Sequence, residues 1–593
     1  MDRNRAARRG RGGTDGRAGA VQFERSSALG RLAEESFDVL VVGGGITGAG
    51  VALDAASRGL RTALVERADF AGGTSSKSSK LVHGGLRYLQ QRDFRLVHEN
   101  LAERQHLLEN APHLVTPLPF LIPLFGRDGV ASRAAVRTYA TALWLYDLTG
   151  GIRIGSRHRR IDKAEAMAHF PTLRTDRLVA GFLYQDARTD DARLTLTLVR
   201  TAVVDFGAVA ANYTSAVELL TDAGGRVTGA RVRPAVRPGA AGSFGEAAEG
   251  PDFDVRAKVV VNASGVWADD VRALDEGTHP QSLRPAKGVH VTVPATVLPC
   301  DIASVIPVRG DRRSVFVVPW PGGQRTYIGT TDTSYAGPLD RPMCDPEDVA
   351  YLLEAVNAVV STRLTPDDVT GVWAGLRPLL VPAAGGRPLS ARTTDLSRRH
   401  SVRTSGSGLV TVTGGKLTTY RKMAEDAMAQ VVPMLGAAGT RARRSATKRL
   451  RLRGAPAAGR SPAADRPGIE ASTMAHLVSR YGTEASAVLD VADGRPELLD
   501  PIVAGLPYLG AEAVYAARAE MAQSVEDVLA RRTRALLEDG RASSAAAGRV
   551  ASLLAPELKW TAEQAAQQAE HFVALAREEL DTAGLPATFG GRT

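Results

Sequence analysis

"FDVLVVGGGITGAGVALDAASRGLRTALVER", residues 37–67, decides the fold. Val39 to Val42 form an apolar run suited to a buried parallel strand. The run ends in Gly43-x-Gly45-x-x-Gly48, and a helix rich in small residues is predicted after it. A second apolar strand, "TALVE", closes at Glu66. Strand, glycine loop, helix, strand and terminal acid together make the dinucleotide-binding fingerprint in the context it requires. Gly43 makes the tight turn, Gly45 admits a pyrophosphate, and Gly48 allows close helix–strand contact. The helix N-terminus offers its N–H groups to phosphate oxygens. Glu66 accepts hydrogen bonds from ribose hydroxyls. NAD and FAD suit this half equally, but a site so near the N-terminus, with hundreds of residues following, favours FAD.

Two later segments repeat the form. "RAKVVVNASGVWADDV" (256–271) is an apolar strand ending in Asn262-Ala263-Ser264-Gly265, then a helix. "GLVTVTGGKLTTYRKMAEDAM" (408–428) is a strand, a Gly414-Gly415 turn and an amphipathic helix. Small residues at such turns let backbone lie against a flat ring or a sugar. The second helix N-terminus can face flavin oxygens, where negative charge grows on reduction.

The whole chain bounds this reading. Its 593 residues, 44% hydrophobic and 23% charged, suit a globular protein of two or three domains. Two cysteines, Cys300 and Cys344, exclude a disulfide framework and a cysteine-ligated zinc site, and fit a reducing cytoplasm. No metal site is read. Net charge is +10, concentrated in two blocks. Residues 1–35 read as a disordered basic tail. "RARRSATKRLRLRG" (441–454) opens a basic, Ala/Pro/Gly-rich linker over 436–464. These blocks suit an anionic membrane surface. No nucleic-acid partner is read, because no recognition-helix or aromatic-rich motif accompanies them. No apolar run is long enough to span a bilayer. "HLVTPLPFLIPLFG" (113–126), with three prolines, reads as buried strand and turn. Helical spacing over 465–585 predicts a C-terminal all-α domain, in which "EDVLARRTRALL" (526–537) is basic and amphipathic enough to touch a membrane.

The strings "GGGITGAG", "SSKSSKLVHGGLRYL", "RPAKGVH", "FVVPW", "IGTTDT", "GLRPL" and "GGKLTTYRKMAED" resemble, in this order over about residues 36–430, those of the FAD-dependent glycerol-3-phosphate dehydrogenases. The resemblance implies a D-amino-acid-oxidase-like α/β fold. Over 36–435 a Rossmann-like FAD-binding part is interleaved with an antiparallel-sheet substrate part. It also implies a reaction, hydride transfer from carbon 2 of sn-glycerol 3-phosphate to FAD, giving dihydroxyacetone phosphate. A membrane quinone is then the electron acceptor, reached by peripheral attachment at the inner face of the cell membrane. Oxygen, with hydrogen peroxide as product, is the alternative. Homodimerisation is left open.

Under that resemblance Thr74, Ser75, Ser78 and Ser79 hydrogen-bond cofactor phosphates and flavin. Lys80 and Leu81 run along the ring, and Ser264, Gly265, Gly414, Gly415, Leu417 and Thr418 complete the cofactor wall. Arg87 and Tyr88 meet the substrate. Arg313 and Arg377 grip its phosphate or the neighbouring hydroxyl, since a dianion calls for planar cations. Lys416 bridges substrate and flavin. His83 and His290 are both candidates for the base, imidazole being the side chain that titrates near neutrality.

Overall fold

The computed structural model describes residues 23–86, 93–126, 133–150, 154–235, 250–308, 313–381, 399–457, 466 and 468–587. The strand Ser36–Val42 lies inside a sheet, its Val39–Val42 paired in parallel with Thr62–Val65 on one side and Val259–Asn262 on the other. Both faces are covered, which is why the strand reads as unbroken hydrophobics. The central strand order is 401–404, 410–413, 253–262, 36–42, 62–65, 209–211. All of these run parallel except the edge strand Ser401–Thr404. The helix Ile46–Ser57 packs on this sheet, buried along nearly all its length.

A second, ten-stranded sheet is built from 81–82, 115–125, 159–162, 178–189 and five strands plus a two-residue edge between 283 and 380. It is antiparallel as the resemblance implies, with one exception, a short parallel contact of Ala303–Ser304 with Phe120–Leu121. The proline-rich stretch forms its strand Val115–Phe125. Pro117, Pro119 and Pro123 share one parity, so their missing N–H groups fall on one edge. Pairing with Leu178–Thr189 survives on the other edge.

The C-terminal part is helical, with long helices Ala471–Tyr481, Gly510–Ala519, Gly540–Leu558 and Ala562–Thr582 around their own apolar clusters. Three expectations need correction. Of the N-terminal tail, residues 1–22 lie outside the described residues, but Arg25–Glu34 is a helix whose Ala28 and Leu32 are buried beside Phe23. The basic stretch 442–457 is a packed strap. Leu452 is buried with its N–H on the Asn110 carbonyl, and Arg453 pairs with Glu484 and Asp205. "EDVLARRTRALL" faces inward: Arg531, Arg532 and Arg534 are all buried. Arg532 clamps both oxygens of Asp69 at 2.6 and 2.9 Å, and Arg531 adds a third bond to the same carboxylate. Arginines on an apolar helix look like a membrane face in sequence, because Asp69 and Asp191, which hold Arg532 and Arg534 inside, lie more than three hundred residues away. Among the described residues no helix is long and apolar enough to cross a membrane.

Candidate active site

The glycine loop closes as predicted. Gly43 has φ +110°, and a Cβ there would come within 2.6 Å of the Ala263 carbonyl, so the turn admits glycine alone. At Gly48 a Cβ would lie 1.8 Å from the Gly43 oxygen, which fixes helix against strand. Gly45 is different: a Cβ would meet one neighbour, the Ser75 hydroxyl at 3.1 Å. Its other side opens on a crevice of about 360 Å³ lined by Gly43, Gly45, Glu66, Ser264, Gly265 and Gly414. Glu66 is held in place by the N–H groups of Gly44 (2.6 Å) and Ala68 (2.8 Å).

A larger cavity, about 500 Å³, continues from this crevice, sharing with it Thr74, Ser78, Pro378, Gly415, Lys416 and Leu417. Its walls come from both sheets. Here stand His83, His290, Arg313, Arg377, Lys416, Ser79, Leu81 and Thr418. Arg87 and Tyr88 lie outside the described residues.

The serine loop is tied down by its own hydrogen bonds. Thr74 donates to the Leu376 carbonyl, and the Ser75 hydroxyl accepts from the Ile46 N–H at the helix start. Ser78 donates to Asp191 through both its N–H and its hydroxyl. Trp373 and Tyr327 donate to the carbonyls of Ser78 and Ser79. Of these, Thr74 and Ser78 line both cavities and Ser79 the larger one. Lys80 is a correction: it lines neither the crevice nor the large cavity. Its ammonium is buried at 3.3 Å from Asp191, on the far side of the loop. Lys287 likewise turns away, to Asp345 and Asp348.

Two cations meet at Asp332. Arg313 donates to its carbonyl (3.1 Å), and Arg377 reaches its carboxylate (3.4 Å) and the Thr330 hydroxyl (3.2 Å). His290 is 2% exposed and stacks flat on Trp373, ring centres 4.7 Å apart, with Nε2 2.9 Å from the Ser79 hydroxyl. Burial, with Lys80 and Arg377 nearby, holds its imidazole well below the usual range, so it is neutral at pH 7. His83 sits on the cavity wall with its N–H 3.4 Å from the Thr418 hydroxyl. Asp332 and Thr330 escaped individual notice although they lie inside "IGTTDT". Trp373 and Asp191 carried no motif at all.

Residues 38–421 match the family described as FAD dependent oxidoreductase, and 445–565 the C-terminal domain of alpha-glycerophosphate oxidase. The chain is 42% identical over 566 residues to "Glycerol-3-phosphate dehydrogenase 2" of Mycobacterium tuberculosis, covering 94% of this chain and 91% of that protein. The mouse mitochondrial glycerol-3-phosphate dehydrogenase is 38% identical over 553 residues, covering 88% and 71%. Among solved structures, the glycerol-3-phosphate dehydrogenase from Bacillus halodurans complexed with FAD superposes with a TM-score of 0.71 at 31% identity, covering 96% and 98%. The chain belongs to the FAD-dependent glycerol-3-phosphate dehydrogenase family. Its residues fit the family's cofactor. The cradle beside Gly45, closed to a Cβ at Gly43 and open over the crevice, has room for a pyrophosphate, and Glu66 lines the same crevice, where a ribose would meet it. The glycine pair 414–415 sits where crevice and cavity join, suited to a flat ring.

Proposed function

We propose that this enzyme oxidises sn-glycerol 3-phosphate to dihydroxyacetone phosphate. The observation that carries the reading is the pair of guanidiniums, Arg313 and Arg377, gathered by Asp332 on the wall of a cavity that also holds a neutral histidine. Bound FAD supplies the acceptor for the hydride leaving carbon 2. Arg313 and Arg377 receive the phosphate dianion as planar, always-charged donors. Lys416, on the seam between the two cavities, orients the substrate toward the ring. His290, neutral before substrate arrives, takes the hydroxyl proton at Nε2, with the Ser79 hydroxyl between them where the approach is not direct. The incoming dianion raises the proton affinity of the imidazole at the step that needs it. His83 remains a wall contact.

Replacing Arg313 or Arg377 by alanine leaves a dianion short of a partner, at a cost of about 2–5 kcal/mol. kcat/KM for glycerol 3-phosphate should fall accordingly while FAD content stays normal. Plain glycerol, already a poor substrate, should lose little more. Equal losses on both substrates would place the arginines on the cofactor or the fold and end the phosphate assignment.

The reading extends to a membrane quinone as acceptor and attachment at the inner face of the membrane. Two surface features support attachment. Arg441, Arg443, Arg444, Lys448 and Arg449 leave a mostly exposed basic strip on the strap. The helix Arg133–Leu148 ends in Trp144 (50% exposed) and Leu148 (75%). Assay with a quinone analogue, with and without oxygen and with peroxide measured, separates dehydrogenase from oxidase. High salt should release a protein held by charge; release by detergent alone would point to the apolar helix end.

A further inference from the structure

Lys80 sits in the most recognisable loop of the chain, yet its ammonium turns away from the cavities that loop lines. It adopts φ +57°, a backbone region lysine seldom enters. Such an outlier asks for a reason. Its Nζ lies 4.6 Å from the ring centre of Trp373, and His290 stacks on the same indole at 4.7 Å with 6° between the planes. Cation and imidazole thus meet on one indole. The turn at Lys80 also sends its neighbour Ser79 the other way, onto His290 Nε2 at 2.9 Å. Two consecutive residues thus contact the Trp373–His290 stack, one at the indole and one at the imidazole.

The charge on Lys80 is not cancelled. Among the described residues the carboxylate within its reach, Asp191, is shared with Arg534 at 3.0 Å and with both donors of Ser78. Asp190 nearby is engaged by Arg480 at 3.1 Å. The Ser76 carbonyl accepts from both Lys80 and Arg534. Around His290 itself stand Arg377 from its own sheet, the Tyr327 ring at 6.3 Å, the Ser79 hydroxyl and Trp373. No carboxylate among these described neighbours touches the imidazole.

We propose that Lys80 is a positioning residue for the reaction: it holds a positive charge against the indole on which His290 stacks, and so adds to burial in keeping that imidazole neutral and ready to accept a proton. The proposal rests on His290 as the base. Burial and the adjacent Arg534 bring Lys80 itself to about 8, so it is charged through the neutral range in which the base must stay neutral. The sign follows. A cation near an imidazole disfavours imidazolium, so removing it raises the pH at which His290 gains its proton. The acid limb of kcat/KM then moves to higher pH.

The test uses the holoenzyme with Lys80→Met, Lys80→Arg and, as a second neutral variant able to hydrogen-bond Asp191, Lys80→Gln. Two readouts are taken: the acid limb of kcat/KM for glycerol 3-phosphate, and the titration of His290 by NMR of ring-labelled histidine, assigned with His290→Asn. Either neutral variant that retains FAD should move His290 upward by about one pH unit. Lys80→Arg should stay near the parent. An unmoved His290 titration in a FAD-loaded neutral variant overturns the proposal. So does an equal shift in the arginine variant, because the effect would then come from loop geometry. If His290 moves as expected while the acid limb stays put, Lys80 does tune the imidazole and it is the assignment of the base that fails.

Discussion

At the scale of single residues, the site is a set of charges held by others. Asp332 is the clearest case, since one residue orients two cavity-lining guanidiniums through its carbonyl and its carboxylate. Asp332→Asn keeps the carbonyl and loses the charge. A hydrogen bond to a charged group is worth about 1.5–3 kcal/mol, so kcat/KM for glycerol 3-phosphate should fall roughly 10- to 100-fold, mainly through Arg377, with FAD content unchanged. Steady-state kinetics with flavin absorbance checks this, and lost flavin would move Asp332 from substrate to cofactor. Sequence singled out Arg313 and Arg377 because a phosphate substrate asks for such cations, and both line the larger cavity. Asp332 and Trp373 were not legible, since their value lies in what they touch across the fold. Lys80 misled for the same reason: the motif places it beside the cofactor, while its backbone turns it behind the wall.

At the scale of elements, the opening strand–loop–helix separates two duties that its glycine spacing leaves merged. Gly48→Ala would put a methyl 1.8 Å from a backbone oxygen, so the helix Ile46–Ser57 must lift off the strand Ser36–Val42. Overpacking of that kind costs about 3 kcal/mol or more. Gly45→Ala meets a serine hydroxyl at 3.1 Å and otherwise points into open space, so the fold tolerates it while the crevice does not. The expected results are a marked loss of Tm in the Gly48 variant, and near-parental apoprotein stability with weakened FAD binding in the Gly45 variant. Thermal unfolding of the apoproteins and FAD titration would tell the two apart. This element was readable because every feature of it is local: an unbroken apolar run, a fixed glycine spacing and an acid at the second strand end. The strap over 442–457 was not, because Ala, Pro, Gly and Arg look alike whether solvated or packed.

At the scale of the whole molecule, the helical C-terminal domain is fastened to the oxidoreductase part by buried charge. Arg531 and Arg532 hold Asp69, and Arg193 holds Glu520. The helical domain and the part it is fastened to should be acid-sensitive. At Glu512, burial alone would raise the carboxyl, but His476, Arg480 and the Leu509 N–H bring it down to about 2. Its stabilisation is present above the ordinary glutamate range near 4.5 and is lost as pH falls toward 2. Burial lowers His113 to about 4, so folding also loses ground as pH drops from 6.5 toward 4, where the unfolded chain binds a proton that the folded one refuses. Both push the same way. Tm should fall on acidification from pH 7 to 4, by a loss on the order of a few kcal/mol. His113→Phe should soften the upper part of that fall, and an unchanged slope in that variant would remove His113 from the account. By itself the sequence determined the nucleotide-binding core, the helical C-terminal domain, the family and the kinds of side chain its reaction needs, because strand runs, glycine spacing, helical periodicity and motif strings are properties of neighbours along the chain. Only the tertiary structure decided which cations face the cavity, which histidine is kept neutral, and that a basic helix was a buried fastening. Each of these depends on groups brought together by the fold, from 19 residues apart at Arg313–Asp332 to 463 at Arg532–Asp69, and burial makes such contacts strong without leaving any pattern in the local sequence.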